Sequence, residues 1–154
     1  QQLPAQTGRQ NMKVFKNILV PLDGSQAGRE ALLYALSLAE TYQASVWILH
    51  VIDLNQYMSS FEQVSGSGYL PQEILDEGQK VLEEVCGLIP AGVTAKTLVK
   101  MGRPQERILE TAAEMQADLI VMGSRGLGAL KQMLMGSVSQ HILVHAKSPV
   151  LVIR

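Results

Sequence analysis

Two glycine-containing segments near the carboxyl-terminal end of the chain have the residue types and spacing of an anion-binding site. Gly123 and Gly126 are followed, after nine residues, by the pair Gly136-Ser137. Glycine tolerates positive φ and leaves neighbouring amide N–H groups uncovered, and Gly136-Ser137 stands where a predicted helix begins. The first N–H groups of a helix lie at the positive end of its dipole, so this position favours a phosphate.

Side chains in the same stretch could add contacts to a bound anion. The hydroxyls of Ser137 and Ser139 would donate to phosphate oxygens, and Arg125 could add a charge-assisted hydrogen bond. Glycine turns also end strands in many α/β proteins, so these residues alone predict a binding site and a purely structural turn equally well. Two other phosphate motifs are excluded, because no G-x-x-x-x-G-K-[ST] occurs and "GLGALK" lacks the third glycine of G-x-G-x-x-G.

Short apolar runs alternate with helical patterns along the chain, and this alternation predicts how the glycines are positioned. Apolar residues at helical spacing separate the runs, and the last predicted helix begins at Gly136-Ser137. Parallel strands need crossovers that place helices on the faces of the sheet, so the pattern predicts an α/β fold with a mostly parallel, doubly wound sheet. The predicted strands are residues 17–22, 45–52, 94–102, 118–123 and 149–154.

A ligand of such a sheet lies beyond the carboxyl ends of the strands, at the point where the strand order reverses. Here the ends of the first and fourth strands are Asp23-Gly24 and Gly123-Ser124. By itself Asp23-Gly24-Ser25 is more typical of a helix start, with Gly24 or Ser25 as the N-cap. Its position at the switch point favours a ligand contact instead.

The composition excludes several classes of protein. The 154 residues, 47% of them apolar, suffice for one domain with its own core. Thirteen basic and fourteen acidic residues, without a run of Lys or Arg, lack the basic patch of a nucleic-acid-binding protein. No apolar stretch approaches the roughly 20 residues that span a bilayer, so we expect a cytoplasmic protein without membrane contact. Residues 1–11 are expected to be an expression remnant or a disordered tail, which leaves 12–154 as the domain.

Few other residues have the types that chemistry requires. Cys86 is the single cysteine, and its apolar neighbours predict a small buried hydrophobe in a reducing compartment. His141 and His145 stand four apart, but no nearby Cys, Asp or Glu completes a zinc site, so no metal site is predicted. His50, inside an apolar run, is expected to be a core histidine rather than a base.

Two further segments each allow more than one interpretation. Residues 53–70 lack any period and would form a lid, a partner surface or a disordered loop. The apolar positions between 127 and 134 fall on one helical face, which favours packing against the body over a patch that binds a partner.

Three stretches of the sequence together resemble the universal stress protein family: "NILVPLDGS", "LHVI", and the final segment from "MGSRGLGALK" to "SPVLVIR". The resemblance covers Met12 to Arg154. Its spacing G-x-x-G, nine residues, G-[ST] is that of the family members that bind ATP. It implies a sheet of five parallel strands in the order 3-2-1-4-5, of the adenine-nucleotide alpha-hydrolase-like type, with a nucleotide lying across strands one and four.

The resemblance also implies a ligand, a partner and a set of contacts. The ligand would be ATP, ADP or AMP, with any Mg²⁺ carried by the phosphates, and the partner a second copy joined through the last strand, Val150–Ile153. Adenine would contact Val51, and Asp23 would accept from sugar hydroxyls or adenine groups. The remaining implied contacts are Pro21 on the nucleoside side, Met122, Gly123, Arg125 and Gly126 in the glycine turn, and Gly136, Ser137, Val138 and Ser139 at the phosphates.

These features predict a nucleotide-binding regulatory or stress-response factor rather than an efficient enzyme. Rapid hydrolysis needs a group that orients water and carboxylates that hold a metal, and the predicted phosphate end offers Ser, Gly and Arg without an evident Asp or Glu. A slow ATPase and a nucleotide-independent dimeric interaction module are the alternatives.

Overall fold

The computed structural model describes residue 2 and residues 13–57, 72–126 and 135–154. The expected tail apart from residue 2, most of the segment 53–70, and the apolar face between 127 and 134 lie outside the described residues. Residues 54–57, which the sequence placed in a loop, are helical. The other elements are β1 (Asn17–Pro21), α1 (Gln26–Tyr42), β2 (Ser45–Ile52), α2 (Gln72–Cys86), β3 (Ala95–Met101), α3 (Pro104–Glu114), β4 (Leu119–Gly123), α4 (Ser137–His145) and β5 (Val150–Ile153).

The five strands form one parallel sheet in the order β3-β2-β1-β4-β5. Strand β1 pairs with β2 on one side, with Leu19 opposite Trp47, and with β4 on the other, with Leu19 opposite Ile120. This arrangement confirms the predicted fold class and strand order. The carboxyl ends of β1 and β4 therefore lie side by side where the strand order reverses.

The central strands β1 and β4 are buried on both faces, which explains why they read as continuous apolar runs. Ile18 and Val20 pack with α1 and α2 residues on one face, whereas Leu19 packs with α3 and α4 residues on the other. All three side chains of β1 are fully buried. Helices on both faces thus hold the strand ends in fixed positions.

The start of α1 is set by two side chains that follow β1. The Ser25 hydroxyl accepts a hydrogen bond from the Gly28 N–H at 3.1 Å, so Ser25 is the N-cap. One carboxylate oxygen of Asp23 accepts from the Ser25 N–H at 2.9 Å, and Gly24 between them has a φ of 86°. The predicted helix start is correct, and the turn leaves Asp23 beside the end of β1.

Gly123, the last residue of β4, lies directly against the first turn of α1. A Cβ at this position would be 2.8 Å from the carbonyl carbon of Ala27 and 2.9 Å from the nitrogen of Gly28. Among the described glycines, positive φ occurs at Gly24 and Gly102, and the G-x-x-G…G motif does not use the positive φ that glycine tolerates. At Gly123 the requirement is space.

The predicted burial of Cys86 was wrong. Cys86 is exposed, and its thiol donates to the Leu82 carbonyl at 3.2 Å. The buried stripe of α2 includes Leu82 and Val85, and one residue further along a helix rotates the side chain by about 100° towards solvent.

Replacing Gly123 with alanine is expected to lower the free energy of unfolding by about 2 kcal/mol or more, because backbone atoms of α1 cannot yield to the added methyl group. Chemical denaturation of the variant measures this change. Gly87→Ala is the matched control, since no atom lies within 4 Å of its Cβ, and its effect should stay within about 0.5 kcal/mol. Equal stability of the two variants would contradict the close approach.

Candidate functional site

A cleft of about 600 Å³ lies at the carboxyl ends of β1, β2 and β4, between the starts of α3 and α4. The structure brings all of the sequence-predicted site residues together around this cleft, although they come from four separate parts of the chain. These residues are Pro21, Asp23, Val51, Met122, Gly123, Arg125, Gly126, Gly136, Ser137, Val138 and Ser139.

The start of α4 forms one end of the cleft. Gly136 is the N-cap, with extended backbone (φ −76°, ψ 161°) and no side chain that could cap the helix itself. The first intrahelical bond runs from the Gln140 N–H to the Gly136 carbonyl at 3.1 Å, so the preceding N–H groups, from Ser137 to Ser139, have no acceptor within the helix. This end of the cleft therefore offers main-chain donors to an anion.

The hydroxyl of Ser139 does not serve the cleft in the way the sequence suggested. It donates to the Gly123 carbonyl at 2.7 Å, and the residue is only 3% exposed. A hydroxyl has one hydrogen, so it cannot donate to a phosphate at the same time. Ser139 instead fastens the start of α4 to the end of β4, while Ser137 is exposed at the rim.

Asp23 lies beside the glycine turn that follows β4. A Cβ at Gly126 would collide with the second carboxylate oxygen of Asp23, the one that Ser25 does not contact. Gly126 thus leaves room for this carboxylate at the edge of the cleft, and Arg125 lines the same edge. The sequence had assigned Asp23 to the nucleoside side and found no evident acid near the turn, and the structure places one there.

The α3–α4 face of the sheet supplies the apolar wall. Met122 is 4% exposed and packs in the same core cluster as Val51 and Ile108. Pro104 and Gln105, from the first turn of α3, complete this wall. Proline favours the first turn of a helix, and the position of Pro104 just beyond β3 was the signal that could have placed this helix start at the cleft.

The α2 side of the cleft was missed by sequence reasoning. Tyr57 donates to the Glu77 carboxylate at 3.3 Å, and burial together with the negative charge of Glu77 raises the pKa of the Tyr57 phenol. Gly78 lets α2 approach β2, because a Cβ there would lie 2.9 Å from the end of the Ile52 side chain. These contacts depend on how α2 packs, which no local pattern in the sequence records.

The histidines make internal contacts. Nδ1 of His50 lies 2.7 Å from the Leu22 carbonyl, and since a carbonyl only accepts, this ring nitrogen carries the hydrogen. The rings of His141 and His145 stack with centroids 4.0 Å apart. Within the part of the chain that the structure describes, no group of three or more His, Cys, Asp or Glu residues could hold a metal ion. In the same residues, no helix has the length and apolar character needed to cross a membrane.

A parallel sheet of order 3-2-1-4-5 with a cleft at its switch point defines the class of the protein, a doubly wound α/β domain. The family model described as the universal stress protein family matches residues 15–154, and the chain belongs to this family. It is 34% identical to a universal stress protein of Methanocaldococcus jannaschii, over 95% of this chain and 86% of that protein. It is 36% identical to universal stress protein YxiE of Bacillus subtilis, over 92% of this chain and 100% of that protein.

Two solved structures share the fold and contain adenine nucleotides. A universal stress protein from Archaeoglobus fulgidus in complex with dAMP aligns with a TM-score of 0.68 and 20% identity, over 92% of this chain and 100% of that one. A universal stress protein in complex with cAMP aligns with a TM-score of 0.60 and 23% identity, over 92% and 98% of the two chains.

Ser139→Ala is expected to destabilise the protein by about 1–3 kcal/mol, because it removes the donor to the Gly123 carbonyl in a buried position. The shift of the urea midpoint measures the effect. Ser137→Ala, two residues earlier and exposed, should change stability by less than about 0.5 kcal/mol. If both variants unfold at the same midpoint, Ser139 does not fasten α4 to β4.

Proposed function

We propose that the cleft binds an adenine nucleotide and that the protein is a nucleotide-dependent regulatory or stress-response factor. The observation that carries the proposal is the start of α4, whose N-cap Gly136 has no side chain to bond the first N–H groups. This helix start faces the same cleft as the ends of β1 and β2. The dAMP and cAMP held by two proteins of the same fold support an adenine nucleotide as the class of ligand.

The chemistry of the cleft walls suits the three parts of a nucleotide. Val51 and Met122 offer an apolar surface for the adenine ring, and Asp23 offers a carboxylate oxygen to ribose hydroxyls. The N–H groups at the start of α4 would hold the phosphates, with Arg125 at the rim. The volume of about 600 Å³ falls in the range of roughly 300–1,000 Å³ typical of small-ligand sites, which leaves room for ATP, ADP or AMP.

The main-chain N–H donors at the proposed phosphate end favour a regulatory role over rapid nucleotide hydrolysis. Rapid phosphoryl transfer uses protein carboxylates to hold Mg²⁺ and a positioned group to orient water. The donors at α4 are main-chain N–H groups, and Asp23 is the carboxylate placed near the glycine turn. Because this proposal assigns Asp23 to the ribose, Mg²⁺ would be carried by the phosphates, and slow hydrolysis is the second candidate activity.

A homodimer through β5 is part of the same proposal. Strand β5 is at the edge of the sheet and pairs with β4 alone among the described strands. Leu151 on β5 is 37% exposed, and Leu143 and Val144 on α4 are 43% and 77% exposed. An apolar edge strand favours pairing with another chain, and a second copy would cover these side chains.

The nucleotide site is tested by isothermal calorimetry with AMP, ADP and ATP, the last with Mg²⁺. We expect saturable binding by the native protein and a loss of at least about tenfold in affinity for Gly126→Ala, because the added methyl group displaces the Asp23 carboxylate. Gly92→Ala, whose Cβ has no neighbour within 4 Å, should bind as the native protein does. Absence of binding by the native protein would contradict the proposed function.

The dimer is tested by sedimentation velocity over a range of protein concentrations. Leu151→Lys places a charge on the edge strand and should shift the equilibrium to monomer, raising the dimer dissociation constant by at least about tenfold. Val14→Lys is the control, since Val14 is 54% exposed and lies before the first residue of β1, outside the edge strand. A dimer that survives Leu151→Lys, or a native protein that is monomeric throughout, would contradict the role of β5.

A further inference from the structure

The end of the edge strand is hydrogen-bonded to Ser124 in the G-x-x-G turn, and Ser124 is in turn bonded to the start of α4. The Ser124 N–H donates to the Ile153 carbonyl at 2.7 Å, and the Ser124 carbonyl accepts from the Gly136 N–H at 2.7 Å. Ser124 is 1% exposed. One buried residue therefore connects the last position of β5 with the N-cap of α4.

A third short bond runs parallel to this connection. The Ser139 hydroxyl donates to the Gly123 carbonyl at 2.7 Å, and Gly123 lies opposite Ile153 in the register of β4 and β5. The start of α4 is thus hydrogen-bonded to Gly123, the last residue of β4, and to Ser124, the residue that follows it. A rigid-body shift of this helix start must strain or break at least one of the two ties.

The connection has little freedom to absorb a displacement. A buried main-chain group that loses its partner is not rescued by water, so breaking either bond of Ser124 carries a free-energy cost. The Gly123 carbonyl and the Ser124 N–H belong to one peptide group, so the bond from the Ser139 hydroxyl and the bond to Ile153 polarise each other. On the other side of the connection, β5 has β4 as its only neighbouring strand among those described. The end of β5 therefore depends on the position of Ser124.

We infer that filling of the phosphate end and ordering of β5 are coupled through the main chain of Ser124. This inference rests on the proposed nucleotide site. A phosphate bound at the start of α4 fixes Gly136, which fixes Ser124 and in turn the Ile153 carbonyl. The nucleotide thereby regulates the edge strand, and by reciprocity a partner seated on β5 raises the affinity for nucleotide by the same factor. Ser124 acts as a positioning residue that touches no ligand.

Amide hydrogen exchange measured by NMR, at Ser124 and at residues 150–153, tests the coupling. The samples contain either no nucleotide or saturating ADP, at a protein concentration where sedimentation velocity shows the same oligomeric state in both. Coupling free energies between sites are typically 1–3 kcal/mol, so exchange at these amides should slow by about fivefold or more with ADP.

Two substitutions at one position separate the coupling from binding itself. Gly136→Pro fits the φ of −76° but lacks the N–H that donates to Ser124. Gly136→Ala keeps the N–H, and its Cβ would make an ordinary contact of 3.6 Å with the Ser124 carbonyl oxygen. At ADP concentrations that calorimetry shows to be saturating, the alanine variant should retain the protection of β5 and the proline variant should lose it.

The outcomes distinguish the coupling from the proposed function. Normal ADP binding by the native protein with unchanged exchange at Ser124 and β5 would overturn the coupling alone. A native protein that gives no calorimetric signal with any adenine nucleotide would overturn both proposals. If Gly136→Pro does not fold or cannot be saturated, the Ser124 amide of the native protein decides in its place, because it is the donor to Ile153, and ADP-dependent protection of residues 150–153 without protection of this amide would overturn the inference.

Discussion

The contact between the G-x-x-G turn and residues 23–28, which follow β1 and begin α1, is the constraint on which the site depends. Gly123 leaves no room for a side chain against Ala27 and Gly28, and Gly126 leaves none against Asp23. Both glycines thus contact the same short segment, residues 23–28. Their spacing of three residues lets β4 end against α1 and the chain then pass the Asp23 carboxylate. The cleft exists because these two connections approach so closely.

The two halves of the glycine motif perform different tasks. Gly123 and Gly126 provide space, whereas Gly136 begins a helix in extended backbone that any residue could adopt. A side-chain cap such as Asp at position 136 would satisfy the helix N–H groups internally and place a negative charge there. Glycine leaves these donors to an external anion. Ser139 holds the donors in place through Gly123 rather than adding another donor.

The fold class and the glycine turns of the cleft could be predicted from local patterns, whereas the strand order and the positions of Pro21, Val51 and Met122 at the cleft were implied by the resemblance to the universal stress protein family. Alternating apolar runs and helical periods determine a parallel sheet, and the glycine spacing marks the strand and helix ends that line the cleft. What could not be predicted depends on packing between distant segments. The use of the Ser139 hydroxyl requires the distance to Gly123, and the α2 wall around Gly78 requires the approach of α2 to Ile52. The exposure of Cys86 follows from its position on the helix, one residue beyond the buried stripe, although its neighbours in the sequence are apolar.

The construction of the phosphate end from main-chain groups bears on what a bound nucleotide can do. Main-chain donors at a helix start are held by the fold, so they hold a phosphate without bringing the titratable group that proton transfer requires. The same donors belong to a helix tied to β4 and, through Ser124, to the edge strand. Under the proposed coupling, the free energy of nucleotide binding would therefore stabilise the positions of α4 and β5 rather than promote bond cleavage. A site built in this way suits a protein whose response to nucleotide is a change at its surface.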